Sequence, residues 1–287
     1  MKIKSLFGRK WAFEENLPEE SKDILSGIAI TKKVFAGKSK YQEIEVFDTP
    51  GYGRVLYLDG FMQLSSLHEF VYHEMLVHPA LLSHPRPERV LIVGGGDGGT
   101  LREVLKHPVQ EVLLVEIDKM VLDVSQKYLP GVSQGSFKDP RVSLKIADGG
   151  EAIRHFSNYF DCVLVDSTDP DGNEAKILFK RAFYKDAKRA LRKEGIMASQ
   201  TGYLSEHFGQ RTRKEMQSLF PFFSMHRAFV RCFPADEHSF SLASSKIDLA
   251  RISLSAIERA YKARKLETSY YSPLMHEASR IFPDSVY

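Results

Sequence analysis

Between residues 27 and 66 the chain reads GIAITKKVFAG, KYQEIEVFDT, GRVLYLDG and FMQLSS, short runs in which apolar and polar positions alternate, separated by Gly, Pro, Asp and Ser. A period of two with turn-forming residues between the runs predicts a small antiparallel sheet, a β unit separate from the rest of the chain. From Glu69 to Leu82 the apolar residues Phe70, Met75, Leu76, Ala80 and Leu81 recur at helical spacing, and the prolines of SHPRPER end that helix.

Beyond Glu88 the pattern changes. The apolar runs RVLIV, EVLLVEI, RVSLKI, YFDCVLVD and GIMASQ alternate with the helical patterns TLREVLKH, KMVLDVSQKYL and GGEAIRHF. Strands that are apolar on both sides, each followed by a helix, predict an α/β fold with a doubly wound, mostly parallel sheet. The expected organisation is an N-terminal β-strand domain over residues 1–66 and a larger doubly wound α/β domain over 67–287. The last stretch reads as a charged helix, ISLSAIERAYKARK, and an irregular aromatic tail. In doubly wound sheets a ligand sits beyond the carboxyl ends of the strands, where the strand order reverses, so those ends are the residues to inspect.

Composition narrows the partners. With 40 basic and 37 acidic side chains spread along 287 residues, the net charge is only +3. Nothing in the bulk charge calls for nucleic acid or a membrane surface. The opening MKIKSLFGRKW has no apolar core behind its basic residues, and no apolar run nears the roughly 20 residues that span a bilayer, so a cytoplasmic protein is expected. Cys162 and Cys232 lie in apolar stretches without a CxxC partner, which predicts two buried reduced thiols rather than a disulfide or a zinc site.

Gly94-Gly95-Gly96-Asp97-Gly98-Gly99 follows the strand RVLIV and opens a helix, and Glu116 ends the next strand about twenty residues on, where a ribose-binding acid belongs. A dinucleotide and an adenosylmethionine derivative both satisfy this pattern. Asp97 inside the loop would repel a pyrophosphate and attract a cationic ligand. Other strand ends supply Asp118, Asp148, Asp166 and Asp169. Asp118 reads as a helix cap, while the remaining acids, with no local Lys or Arg, describe an anionic pocket suited to a polycationic substrate. Metal binding is the rival use of such acids. His68, His73 and His78 advance by fives and so diverge around a helix, a spacing one residue too long for HExxH, and no metal is expected. The DSTDP strand end and the loop DPDGNEAKI, reaching about Leu178, form a candidate lid.

Together GGGDGG, VEID, DSTDP and the helix motif EFVYHEM resemble the polyamine aminopropyltransferases, the spermidine synthase family, over Trp11 to Pro283. The resemblance implies a small N-terminal β domain, a Rossmann-like methyltransferase-type second domain and a homodimer or homotetramer. It also implies transfer of an aminopropyl group from decarboxylated S-adenosylmethionine to a diamine, putrescine first, with no cofactor. It places Gln42, Glu116, Asp148 and Gly149 on the donor's adenosine, and Asp97 on its aminopropyl ammonium. Asp166 falls at the acid/base position assisted by Tyr72, Asp169 at the far amine, and His73, Gln200 and Trp11 along the acceptor channel. The chain departs from the family at His68, which stands in place of an acid, at Ala147, at Asn173 in the lid, and at Phe233 in place of a tyrosine. The far end of the acceptor channel is accordingly expected to be less anionic. Other acceptors (cadaverine, agmatine or spermidine), an S-adenosylmethionine-dependent methyltransferase, a nicotinamide dehydrogenase and a non-catalytic polyamine-binding protein are the alternative readings.

Overall fold

The computed structural model describes residues 2–14, 26–168 and 175–282. Strands β1 (Lys2–Leu6), β2 (Arg9–Phe13) and β3 (Gly27–Ile30) form an antiparallel sheet. β1 and β2 are joined by the two-residue turn Phe7-Gly8, both at positive φ, 51° and 71°. Phenylalanine in that region is not a turn signal, so this hairpin is not legible in the opening sequence.

A second antiparallel sheet contains β4 (Lys32–Lys38), β5 (Glu43–Thr49), β6 (Gly53–Leu58) and β7 (Phe61–Ser65) in that order. The expected period of two is present, yet the sheet is covered on both faces. Ile44, Val46, Leu56 and Leu58 pack with Val121 and Val124 of the next domain, whereas Phe47, Val55 and Tyr57 join the main core with Met75 and Leu76. The β unit keeps its own two sheets, and its apolar faces are buried against the large domain. Each fully buried Val, Leu or Ile contributes about 1.5–3 kcal/mol to that union.

Helix α1 (Phe70–Ser83) comes next. Its apolar residues keep helical spacing, but His73, Glu74 and His78 are buried too, so the helix runs through the core instead of lying on it. The three histidines do diverge. His68 meets Ser65 and Arg231, His73 meets Glu69, and His78 lies between Glu103 and His107.

The large domain alternates β8 (Arg89–Gly94), α2 (Gly99–Leu105), β9 (Glu111–Glu116), α3 (Lys119–Tyr128), α4 (Pro130–Ser133), β10 (Val142–Ile146), α5 (Gly149–Ile153) and β11 (Phe160–Asp166). It continues through α6 (Ala175–Leu178), α7 (Arg181–Ala190), β12 (Leu191–Tyr203), α8 (His207–Leu219), β13 (Phe222–Ala228) and β14 (His238–Ser244). The sheet order is β10-β9-β8-β11-β12-β14-β13, with β14 antiparallel to both neighbours and the other pairs parallel. Alternate residues of β8 take opposite faces, Val90 and Ile92 towards α1 and α2, Leu91 and Val93 towards α5 and α7.

Strand order reverses between β8 and β11, where Gly94 is the register partner of Asp166. The aromatic tail is less irregular than expected. After α9 (Leu254–Ala263), the segment Ser269-Tyr270-Tyr271 donates three backbone N–H groups to the buried carboxylate of Glu74, at 2.7, 2.8 and 2.7 Å, and α10 (Pro273–Ala278) comes after it. Cys162 and Cys232 are buried and unpaired. No helix among the described residues is long and apolar enough to cross a membrane.

Candidate active site

The carboxyl ends of β8, β9, β10 and β11 open into a cavity of about 790 Å³, roofed by β6, β7 and the start of α1. Gly94, Gly95, Gly96, Asp97, Glu116, Asp148, Gly149 and Asp166 all line it, so the strand-end acids converge as the alternation predicts. Gly94, at φ 85°, closes the turn against β11. A Cβ there would lie 2.0 Å from the Asp166 carbonyl oxygen, which is also the acceptor for the Gly95 N–H at 2.8 Å.

Asp166 carries two different oxygens. Oδ1 accepts a hydrogen bond from the Tyr72 hydroxyl at 2.9 Å, and Oδ2 is buried without a partner among the described residues. Burial, and then the charge of Asp97, raise its pKa above the ordinary carboxylate value. Asp97 goes the other way. Burial would raise it, but His73, the Gly99 N–H and Arg102 outweigh burial and hold it low, so it stays ionised. Its Oδ1 accepts from Gly99 N at 2.6 Å. Two neighbouring carboxyls are thus pushed in opposite directions, an arrangement in which one can stay a fixed anion while the other can take up a proton.

His73 is the reason. Its ring is 2 % exposed, with Nδ1 2.5 Å from Glu69 Oε2 and Nε2 3.3 Å from Asp97 Oδ1. Burial opposes the charge, but Asp97 and Glu69 more than compensate and raise the imidazole well above its usual value. Gly99 makes room for this ring. A Cβ on Gly99 would sit 2.2 Å from Cε1 of His73, so the last glycine of the loop serves the histidine through close approach.

Behind Glu69 lies Arg102, whose Nη1 and Nη2 reach its two oxygens at 2.7 and 3.0 Å while Nε reaches Glu103 at 2.7 Å. The acids are thus not without a local guanidinium, as the sequence suggests. Arg102 is thirty-three residues from Glu69, in the middle of α2, and only packing brings them together. His73, Asp97 and Asp166 also form a group whose ligand atoms lie within 4.8 Å of one another.

On the opposite side Glu116 is 8 % exposed, and burial pushes its carboxyl up to about 7, although it accepts the Asp118 N–H at 2.9 Å. Asp118 caps α3 through Met120 N, as expected of a strand-end acid, and its other oxygen accepts from Ser39 Oγ at 2.6 Å and from Gln42 Nε2 at 3.1 Å. Gln42 is thereby held on the cavity wall. Asp148 caps α5 through Glu151 N at 2.9 Å, and Gly149 packs so closely that a Cβ would meet Val93 at 2.3 Å. Gln200, 2 % exposed, bridges Ser167 O and Gly202 N at 2.9 Å each and lines the cavity beside Thr168.

Some expectations are corrected. Trp11 does not reach the cavity. Its indole donates to the Leu6 carbonyl at 3.0 Å, because strand alternation turns Ala12, not Trp11, to the core. His68 is not on the cavity wall either, being occupied by Ser65 and Arg231. Asp169 and Asn173, with most of the candidate lid, lie outside the described residues. Glu14, Asp59, Glu69 and Glu206 line the cavity as well, and no lysine or arginine does among the described residues. Glu14, Asp59 and Glu206 escape sequence reasoning because they come from the edge of the β1–β3 sheet, the β6–β7 turn and the β12–α8 loop, which carry no motif, whereas Glu69 opens the EFVYHEM motif without its role being legible there.

Comparison with known proteins is consistent with this geometry. Residues 69–253 match the model of the spermine/spermidine synthase domain, and residues 11–66 match that of the spermidine synthase tetramerisation domain. A polyamine aminopropyltransferase of Thermoanaerobacter sp. (strain X514) is 39 % identical over 277 residues, 96 % of each chain. Polyamine aminopropyltransferase 1 of Aquifex aeolicus is 40 % identical over 261 residues, 90 % of this chain and 89 % of that one. A spermidine synthase solved in complex with the transition-state analogue AdoDATO superposes with a TM-score of 0.90 at 34 % identity, covering 96 % and 93 % of the two chains. The spermidine synthase of Thermotoga maritima gives a TM-score of 0.88, also at 34 % identity, over 96 % and 92 %. With both of its parts matched and its acids gathered at the strand ends, the chain belongs to the spermine/spermidine synthase family, the enzymes called polyamine aminopropyltransferases.

Proposed function

We propose that this enzyme transfers the aminopropyl group of decarboxylated S-adenosylmethionine to putrescine, giving spermidine and methylthioadenosine. The observation that carries the reading is the buried, unpartnered Oδ2 of Asp166 in a cavity lined by acids and by no lysine or arginine among the described residues. In this reading Glu116 takes the ribose hydroxyls, Gln42, Asp148 and Gly149 border the adenine, and ionised Asp97 holds the donor's ammonium. A diamine near neutral pH is doubly protonated, since an alkylammonium resembles lysine with a pKa of about 10.4, and its reacting end must lose a proton. Asp166, aligned by Tyr72, accepts that proton. The freed nitrogen lone pair attacks the carbon beside the sulfonium, the carbon–sulfur bond breaks, and its electrons leave sulfur neutral as the thioether of methylthioadenosine. The sulfonium is its own leaving group, so the reaction requires no cofactor, metal or covalent intermediate on the protein.

Glu14 and Glu206 on the cavity wall favour a second reading of the acceptor, a longer amine such as spermidine whose third charge they would meet. We further propose a cytoplasmic homodimer or homotetramer, the larger assembly being supported by the match to a tetramerisation domain. The test is incubation of the pure protein with decarboxylated S-adenosylmethionine and putrescine, cadaverine, agmatine or spermidine, with products identified by mass. Putrescine should give the highest kcat/KM. Tenfold better use of any other amine would overturn the putrescine assignment, and methylthioadenosine release at an equal rate without amine would overturn the transfer mechanism.

A further inference from the structure

His238 begins β14 and lines the cavity, 4 % exposed, yet neither ring nitrogen has a hydrogen-bond partner among the described residues. Two orphaned polar atoms on one buried ring are costly, because a buried donor or acceptor left unpaired has lost its bonds to water without replacement. Its surroundings explain why the described residues offer no partner. The ring is stacked on Phe233 with centroids 5.2 Å apart, and Phe240, Tyr72 and Tyr203 close around it at 5.2, 5.5 and 6.1 Å. One of these walls is Tyr72, whose hydroxyl holds Asp166.

Burial in this aromatic box pushes the imidazole down to about 3, so it stays neutral across the whole working pH range. A neutral imidazole presents one N–H and one lone pair and adds no charge. It is a poor proton acceptor but a good hydrogen-bond acceptor, and the rings around it favour a cation over their faces. Tyr72 links this ring to Asp166, and the group that fits both properties is an alkylammonium.

We propose that His238 binds the acceptor amine, its ring lone pair accepting an N–H hydrogen bond from the alkylammonium within the box formed by Phe233, Tyr72, Tyr203 and Phe240. This deepens the aminopropyl-transfer reading and rests on it. Among the described residues no hydrogen bond or ring contact joins His238 to the Gly94–Asp97 loop, Glu116 or Asp148, so its effect should be confined to the acceptor.

The test compares H238F and H238Q with the unaltered protein, varying putrescine and decarboxylated S-adenosylmethionine separately. H238F keeps the stacking surface and removes the lone pair. It should raise KM for putrescine about tenfold or more, the range expected for a hydrogen bond to a charged group, with KM for the donor within twofold. H238Q retains a lone pair and should recover most of that loss. A putrescine KM unchanged in H238F, or a donor KM raised equally, would overturn the proposal. Should H238F fail to fold, ¹⁵N spectra of the unaltered protein saturated with methylthioadenosine provide the answer. The His238 nitrogen resonances, assigned by their loss in H238Q, should move when putrescine is added, and unmoved resonances would overturn it. Absence of turnover in the unaltered protein would count against aminopropyl transfer itself, whereas normal turnover with an unresponsive His238 would remove only its role.

Discussion

The Tyr72 hydroxyl donates to Oδ1 of Asp166 across 2.9 Å and leaves Oδ2 of the same carboxyl buried and unpartnered. One oxygen is spent on orientation and the other is free for a proton. Tyr72 lies on the first turn of α1 and Asp166 at the end of β11, so the pair ties the helix that leaves the β sheets to the switch point of the large sheet.

From this pair, Asp166→Asn should lower turnover by roughly 10² to 10⁴, as removal of a general base does, while methylthioadenosine still binds. The rate of the unaltered protein should rise from pH 7 towards 9, as more of the diamine carries only one proton while Asp97, held low by His73, remains ionised. Single-turnover rates measured across that range check both statements. A flat profile with chemistry rate-limiting would show that amine deprotonation is not in the rate law.

Burial penalises the charge of Glu116 and pushes its carboxyl up to about 7. In the proposed reading ribose hydroxyls donate to the ionised form, so binding would pull the proton off. Affinity for methylthioadenosine should therefore increase from pH 6 to pH 8 and then level off, with fractional proton release. Calorimetry in two buffers of different ionisation heat measures that release. Glu116→Gln should bind more weakly and without pH dependence, and equal affinity in both proteins would reduce Glu116 to an ordinary strand-end acid.

Glu69 is kept charged against its burial by His73 and Arg102. Glu69→Gln leaves the guanidinium of Arg102 short of its partner and should cost about 3–5 kcal/mol at pH 7 in denaturant unfolding. Since the folded pKa of Glu69 is depressed, its stabilisation is present above the unfolded value of 4.5 and is lost as pH falls below it, so the two proteins should converge in acid. Gly99→Ala should also impair the site, because its methyl group would displace the His73 ring from between Glu69 and Asp97.

EDTA should leave turnover unchanged. The His73, Asp97 and Asp166 atoms are close enough together for a cation, so loss of activity on chelation, restored by a divalent ion, would assign a metal to that group instead.

Much of this enzyme is written locally. The alternation of apolar strands and helices determines the doubly wound sheet, and the rule that ligands sit at strand ends singles out Asp97, Glu116, Asp148 and Asp166 from pattern alone, because each lies within a few residues of the strand that positions it. Tyr72 and His73 belong to one helix that its own spacing predicts. The charge states of these groups were decided elsewhere. That Asp97 stays low and Asp166 rises depends on a histidine twenty-four residues before Asp97, and the histidine's own charge depends on Glu69, one helical turn back, and on Arg102 from another helix. Trp11 fell on the other side of its strand, Glu14 and Glu206 arrived from segments without a motif, and His238 became an orphaned ring only when β14 carried it in among the aromatic side chains. Local pattern determines where a strand ends and which residue stands there. Electrostatic environment is a property of all the atoms around that residue, contributed by distant parts of the chain, and only the tertiary structure brings them together.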